Sequence, residues 1–243
     1  CAKAVVALVL AAFPAVSAET LLKSGQTYQA VIEFANGFKL PLPEGHWTLI
    51  GYQQSKNNND HDVSSLILIG PLASSAFKVL EVQFVDTYSG GYQRNSIGFV
   101  LSTECARTNV AHVILVENLP QSQQCWLINH ATNNNWAASE TARYVEAAEF
   151  LASVHIRMPT TMIYSWHHFS NRTNLMDVKV WYDPAAEGIA PVPETAWAVS
   201  DWQKDRMASD PNKVAYIEKV KAWVPVEGSY DLGPGPRISP EEQ

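Results

Sequence analysis

Val63-Ser64-Ser65-Leu66-Ile67-Leu68-Ile69 is the stretch on which the fold turns. It is short, almost wholly apolar and rich in branched side chains, which suits a strand covered on both faces. Polar residues from Asn57 to Asp62 precede it, and Phe77–Val85 follows with the alternation of a strand that has one wetter face. Upstream, Thr27–Phe34 alternates and Asn36-Gly37 is a hairpin turn signal. Phe38–Leu42 then reads as the hairpin partner, with Pro41 and Pro43 confining it to a sheet edge, because proline cannot donate to a ladder. Glu44-Gly45 turns the chain into a further strand, His46–Gln53. Downstream, Ile97–Leu101, Val110–Val116, Trp126–His130, Thr160–Phe169 and Leu175–Tyr182 complete the set, with Asn171 to Asn174 linking the last two.

Helical spacing appears twice. Trp136–Val154 places Thr141, Tyr144, Ala148, Leu151 and His155 on one stripe, with Glu140, Arg143, Glu146 and Glu149 facing away and Asn135 as the capping residue. A second helical region starts near Ser200. Its stronger half opens at Asp210-Pro211, a capping residue followed by proline at the first helical position, and buries Val214, Ile217, Val220 and Val224. Between the two, Pro184 to Pro193 reads as an irregular loop. The expected class is α+β, a mainly antiparallel β-sheet with one central and one C-terminal helical region. The expected organisation is a signal peptide over 1–18, a single domain over 19–227, and a loose tail over 228–243, where glycine and proline are frequent.

The chain has 243 residues, 47% apolar and 17% charged, the balance of a globular protein. Its formal charge is −7 and its lysines and arginines are scattered. That combination repels nucleic acid and anionic lipid surfaces. Lys3, the apolar run from Ala4 to Phe13, Pro14, and the small residues Val16-Ser17-Ala18 follow the order of a secretory signal cut after Ala18. The run is shorter than the about 20 residues that a membrane span needs, and no transmembrane span is expected in the mature chain. The competing readings of this segment are a buried N-terminal helix and, for Cys1, a lipoprotein cysteine. The expected location is exported, periplasmic or extracellular.

Cutting after Ala18 leaves two cysteines, Cys105 and Cys125. An even pair outside the cytoplasm reads as a disulfide. The histidines show no zinc-ligand spacing, and His167 and His168, adjacent on a strand, point to opposite faces. Asn57 to Asp62 is oxygen-rich but lacks the glycine and distal glutamate of a calcium loop. No glycine pattern forms a phosphate loop, so neither a metal nor a cofactor is expected. Trp47, Trp126 and Trp181 lie in strand patterns and are expected to fill the core, while Trp197 and Trp202 flank the late helix and staple it to the sheet. Asn171-Arg172-Thr173 matches a glycosylation acceptor.

Two resemblances attach to these residues. Cys125-Trp126, a helix, His167-His168, and Trp181-Tyr182-Asp183-Pro184 follow the order seen in transglutaminase-like cysteine enzymes. That resemblance implies Cys125 as nucleophile, His168 as base and Asp183 as the group orienting the imidazole. Leu42-Pro43-Glu44-Gly45-His46-Trp47, Cys125-Trp126-Leu127-Ile128-Asn129-His130, and Asp210-Pro211 with Tyr216-Ile217 and Trp223 are similar to an uncharacterised family of exported proteobacterial proteins, which implies a bacterial periplasmic setting and carries no activity with it. The leading expectation is a non-enzymatic exported protein that binds a small molecule or an envelope protein. The alternatives are a cysteine acyl-transferase or peptidase using Cys125, His168 and Asp183, and an envelope structural or assembly factor.

Overall fold

Alternating and continuous apolar runs of this kind can bury themselves only by pairing, and the pairing yields one sheet. The computed structural model describes residues 22–34, 39–57, 60–70, 78–86, 103–119, 122–132, 139–159, 161–171, 174–190 and 200–223. The described residues hold eight strands: Thr27–Glu33 (β1), Lys39–Lys56 (β2), Asp62–Ile69 (β3), Lys78–Asp86 (β4), His112–Leu119 (β5), Ser122–Thr132 (β6), Thr161–Asn171 (β7) and Asn174–Tyr182 (β8). They form one sheet in the order β1-β2-β3-β4-β8-β7-β6-β5, and every neighbouring pair is antiparallel. The order is two four-stranded meanders joined along β4 and β8. Three helices accompany the sheet: Ala142–Ser153 (α1), Lys204–Met207 (α2) and Pro211–Trp223 (α3). The class is thus a mostly antiparallel sheet with a few short helices. The N-terminal segment through residue 21, the strand expected at Ile97–Leu101, the cap at Asn135, Trp197 and the tail from 228 lie outside the described residues.

β3 carries out the role its composition implies: Leu66, Ile67 and Leu68 are fully buried, with both faces covered. On one face, Leu66 and Leu68 join Leu49, Leu80, Val82, Val178 and Val180 under α2 and α3, which contribute Met207, Tyr216, Ile217 and Val220. On the other, Ile67 and Ile69 join Val79, Met162 and Trp181 under Ala147 and Leu151 of α1. Trp202 is buried and meets Tyr216 edge-on at 6.0 Å, so it does staple the late helices to the sheet. Trp47 and Trp181 are core residues as expected; Trp126 is half-buried.

Several boundaries differ from the sequence reading. Phe38–Leu42 and His46–Gln53 are parts of one strand, β2. Gln29 pairs with His46 while Val31 pairs with Pro41, so the expected turn at Glu44-Gly45 is a bulge in a continuous strand. Ala30 (φ 64°) and Gly45 (φ 120°) take up the strain of that bulge. Pro41 and Pro43 are tolerated because β3 pairs with β2 only from Thr48 onward, leaving this half of β2 a local edge. α1 begins at Ala142 with Thr141 as its cap position, later than the expected Trp136. Its buried residues are Ala147 and Leu151, whereas Ala148 and His155 are exposed. Arg143 and Glu146, expected to face away, turn to the sheet: the Tyr52 N–H donates to Glu146 Oε2 at 2.9 Å. Gly51 permits this close approach, because a Cβ there would collide with the Arg143 carbonyl. In α3 the buried residues include Tyr216, Ile217 and Val220, while Val214 is exposed. Asp210 caps α3 as expected: its Oδ1 accepts from the N–H groups of Asn212 (3.0 Å) and Lys213 (3.3 Å), which hold its carboxyl below the usual range.

Candidate functional site

Cys105 and Cys125 are joined in a disulfide, with Cα atoms 5.8 Å apart. Cys105 sits on a single 3-10 turn, Thr103–Ala106, just before β5, and Cys125 lies within β6. The bond staples the approach to β5 onto the sheet, where Val110, Leu127 and Trp166 pack around it. Closing a loop of this length constrains the unfolded chain by roughly 3 kcal/mol.

The strand register then aligns three chemically distinct side chains. Cys125 on β6 is opposite His168 on β7, and His168 is opposite Asp177 on β8. His168 Nδ1 lies 2.8 Å from Asp177 Oδ1. Two of the three residues named by the transglutaminase-like resemblance, Cys125 and His168, are therefore neighbours. Asp183 is not part of this row. It lies at the far end of β8, and its Oδ1 accepts the Ala185 N–H at 2.9 Å, capping the 3-10 turn Pro184–Glu187. Asp177 holds the imidazole in its place. With Cys125 bonded to Cys105, neither of the two described cysteines offers a free thiol for acyl transfer. The sequence did contain a signal for Asp177: it is an acid at a position that shares a face with Leu175 and Trp181 in a buried strand.

Glu81, on the same face, carries the same signal of an acid within a buried strand. It stands on β4 among Leu80 and Val82, and burial forces it to gather donors. Tyr144 Oη donates to Glu81 Oε1 at 2.5 Å, Trp181 Nε1 donates to Oε2 at 3.2 Å, and Arg143 lies 4.0 Å away. Burial, then the Glu81 charge, raises the Tyr144 pKa, so its phenol stays protonated. This cluster ties α1 to the sheet.

The opposite face carries His167, as the adjacency of the two histidines requires. Its ring stacks near Trp126 (5.9 Å) and Phe169 (6.3 Å), and His112 lies 4.6 Å from Trp126. Burial pulls the pKa of His130 and of His167 down to about 4. A cleft of about 960 Å³ lies between the Pro184–Glu187 turn and α3. Its charges pair with one another: Lys219 with Glu187 at 2.6 Å, and Lys213 with Asp210 at 3.3 Å. In the loop before β3, Lys56 pairs with Asp60 and Asp62. Among the described residues no group of three or more metal-ligating side chains assembles.

No family model matches the chain, and no solved structure matches it. Over 27 residues it is 63% identical to the succinate dehydrogenase iron-sulfur subunit of Bacillus subtilis (strain 168), a stretch covering 11% of this chain and 10% of that subunit. Such a short similarity shows no family. Iron–sulfur clusters are held by sets of four ligands, mostly cysteine thiolates. This chain has three cysteines, two of them bonded to each other, so the similarity brings no cluster site with it.

Two features remain for function: the Cys125–His168–Asp177 row and the free edge of the sheet. Among the described residues, the edge at β5 pairs on one side only, with β6. Along it Ile114, Leu115, Val116 and Leu119 are exposed, Leu119 to 55%. At the other edge, β1, Val31 is the exposed large apolar side chain among the described residues.

Proposed function

We propose that the protein works outside the cytoplasm as a binding module, and that its partner is an envelope protein presenting an extended apolar segment to β5. The observation that carries this reading is the run of exposed apolar side chains on a sheet edge. Edge strands are ordinarily guarded by lysine, proline or short length. β5 spans eight residues, His112–Leu119, and contains neither lysine nor proline. A single extra residue at Val116 bends it, and the ladder to β6 resumes at Glu117. An incoming strand would pair with the open backbone groups of β5 and cover its apolar side chains, the strand-addition mode of recognition. Charge favours a basic flank on that strand, since Glu117 is the acidic residue of β5 and the whole chain carries −7. The same charge opposes pairing of two copies.

The reading includes export. It is supported by the disulfide, which persists in oxidising compartments, and by the order of residues 1–18. Among the described residues no helix is long and apolar enough to cross a membrane. N-terminal sequencing of the protein recovered from the cell envelope should begin at Glu19; a protein that keeps residues 1–18 in the cytoplasm contradicts export.

Binding is tested with a labelled peptide of alternating valine and threonine flanked by lysines. Fluorescence anisotropy should show saturable binding to the full chain, weakened on the order of tenfold by Leu115→Lys. A peptide with proline at alternate positions should not bind. Equal affinity for the Leu115→Lys variant, or a dimer occupying the edge in the free protein, contradicts the reading.

A further inference from the structure

The row Cys125–His168–Asp177 continues into Leu115 of β5, the ladder partner of Cys125, but strand addition at β5 draws on no chemistry of its cysteine, histidine or aspartate. Directly opposed side chains of antiparallel strands have Cβ atoms about 5 Å apart, so the His168 side chain stands beside that of Cys125 on β6 and that of Asp177 on β8. Asp177 engages Nδ1 at 2.8 Å. The remaining nitrogen, Nε2, is buried on a side chain only 4% exposed and has no hydrogen-bond partner among the described residues. Leaving a buried imidazole nitrogen unmatched is costly for a purely structural residue. It is the arrangement needed by a group that exchanges a proton with an adjacent sulfur.

We propose that the Cys105–Cys125 disulfide is redox-active, that its substrates are dithiols and disulfides of the compartment it occupies, and that His168, oriented by Asp177, protonates and deprotonates Cys125. In the reductive direction a thiolate of an incoming dithiol attacks Sγ of Cys105, the less buried of the two cysteines. The bond between the two sulfurs breaks and its electron pair passes to Cys125 Sγ. His168, as imidazolium with a proton taken from solvent, gives that proton from Nε2 to Cys125 Sγ. The donor's second thiolate then attacks the donor sulfur of the mixed disulfide, closing the donor's own disulfide. Cys105 leaves as a thiolate and takes a proton from solvent. One protein disulfide and one dithiol become one protein dithiol and one donor disulfide, with two electrons and two protons transferred. The reverse sequence oxidises the pair, with His168 accepting the Cys125 proton.

The charged groups around this row are Asp177 and Lys179 on β8, Glu81 on β4, Arg143 on α1, and Glu104 with Arg107 on the turn bearing Cys105; the last two pair with each other. The test is the rate at which dithiothreitol reduces the native protein, followed by thiol release across a pH series. His168→Gln should slow reduction about tenfold at neutral pH and flatten its pH profile, because the leaving sulfur loses its proton donor. Asp177→Asn should slow it less. A merely structural role gives the opposite sign, since a loosened fold exposes the disulfide and speeds reduction. Unchanged or faster reduction of His168→Gln, with native circular dichroism retained, overturns the proposal. Reduced wild-type protein supplies a second test that needs no variant. Ultraviolet thiolate absorbance that persists well below the ordinary cysteine pKa of about 8.5 supports the proposal; titration at or above that value overturns it.

Discussion

Acidification from about pH 6.5 to about pH 4 should strip the fold of a large part of its stability, through His130 and His167. Both are buried, and burial lowers each pKa to about 4, against about 6.5 in an unfolded chain. Above the unfolded value both states are neutral and the two histidines leave stability independent of pH. Within the window the unfolded chain binds protons that the folded chain refuses, so stability falls as pH falls. At its full extent the loss is about 3 kcal/mol per histidine. Between about pH 6.5 and about pH 5, above most carboxylate titration, it is about 2 kcal/mol per histidine. Denaturation midpoints measured across that narrower window should fall steeply for wild type and about half as steeply for His167→Gln or His130→Gln. Doubly substituted protein should keep only the smaller slope owed to His112, whose pKa burial also lowers. A slope unchanged by either substitution shows that these side chains take up protons in the fold as readily as in the unfolded chain.

Glu81→Leu should be the most damaging single substitution on the α1 face. The carboxylate accepts from Tyr144 and Trp181 and stands near Arg143, whose side chain is 17% exposed. Removing it strands the Arg143 charge and a buried indole N–H, and breaking a buried pair in this way costs about 3–5 kcal/mol. Glu81→Gln keeps an acceptor and loses the charge, so its cost should be clearly smaller. Chemical denaturation of the two variants measures the difference; equal stability of Glu81→Leu and wild type would mean that the cluster does not anchor α1.

The particular elements show what sequence reading can reach. Asp62–Ile69 and the hairpin of β7 and β8 were legible because apolar content and turn residues act locally. So was the cap at Asp210, whose side chain bonds to amides two and three residues on. The pairing of Cys105 with Cys125 followed from their even count. The continuous β2 was not legible. Prolines and Glu44-Gly45 carry a turn signal, and only the absence of a β3 partner along that half of the strand lets them remain in it. The late start of α1 and the inward turn of Arg143 and Glu146 also depend on tertiary partners, Glu81 and the amide of Tyr52. Asp177 stands opposite His168 through strand register, whereas the order of motifs along the chain pointed to Asp183. The pairing of β4 with β8, which joins the two meanders, spans about ninety residues of sequence and has no local signal.

The proposed binding role depends most on β5 as an open edge that receives a strand. Amide hydrogen exchange of the full chain, followed residue by residue with and without the lysine-flanked valine–threonine peptide, tests this directly. The expected result is fast exchange at alternate residues of β5 in the free protein and strong slowing at those same residues when the peptide is saturating, with β1 unaffected. Outward amides of β5 that are already protected in the free protein, or that stay fast when the peptide is bound, would contradict it.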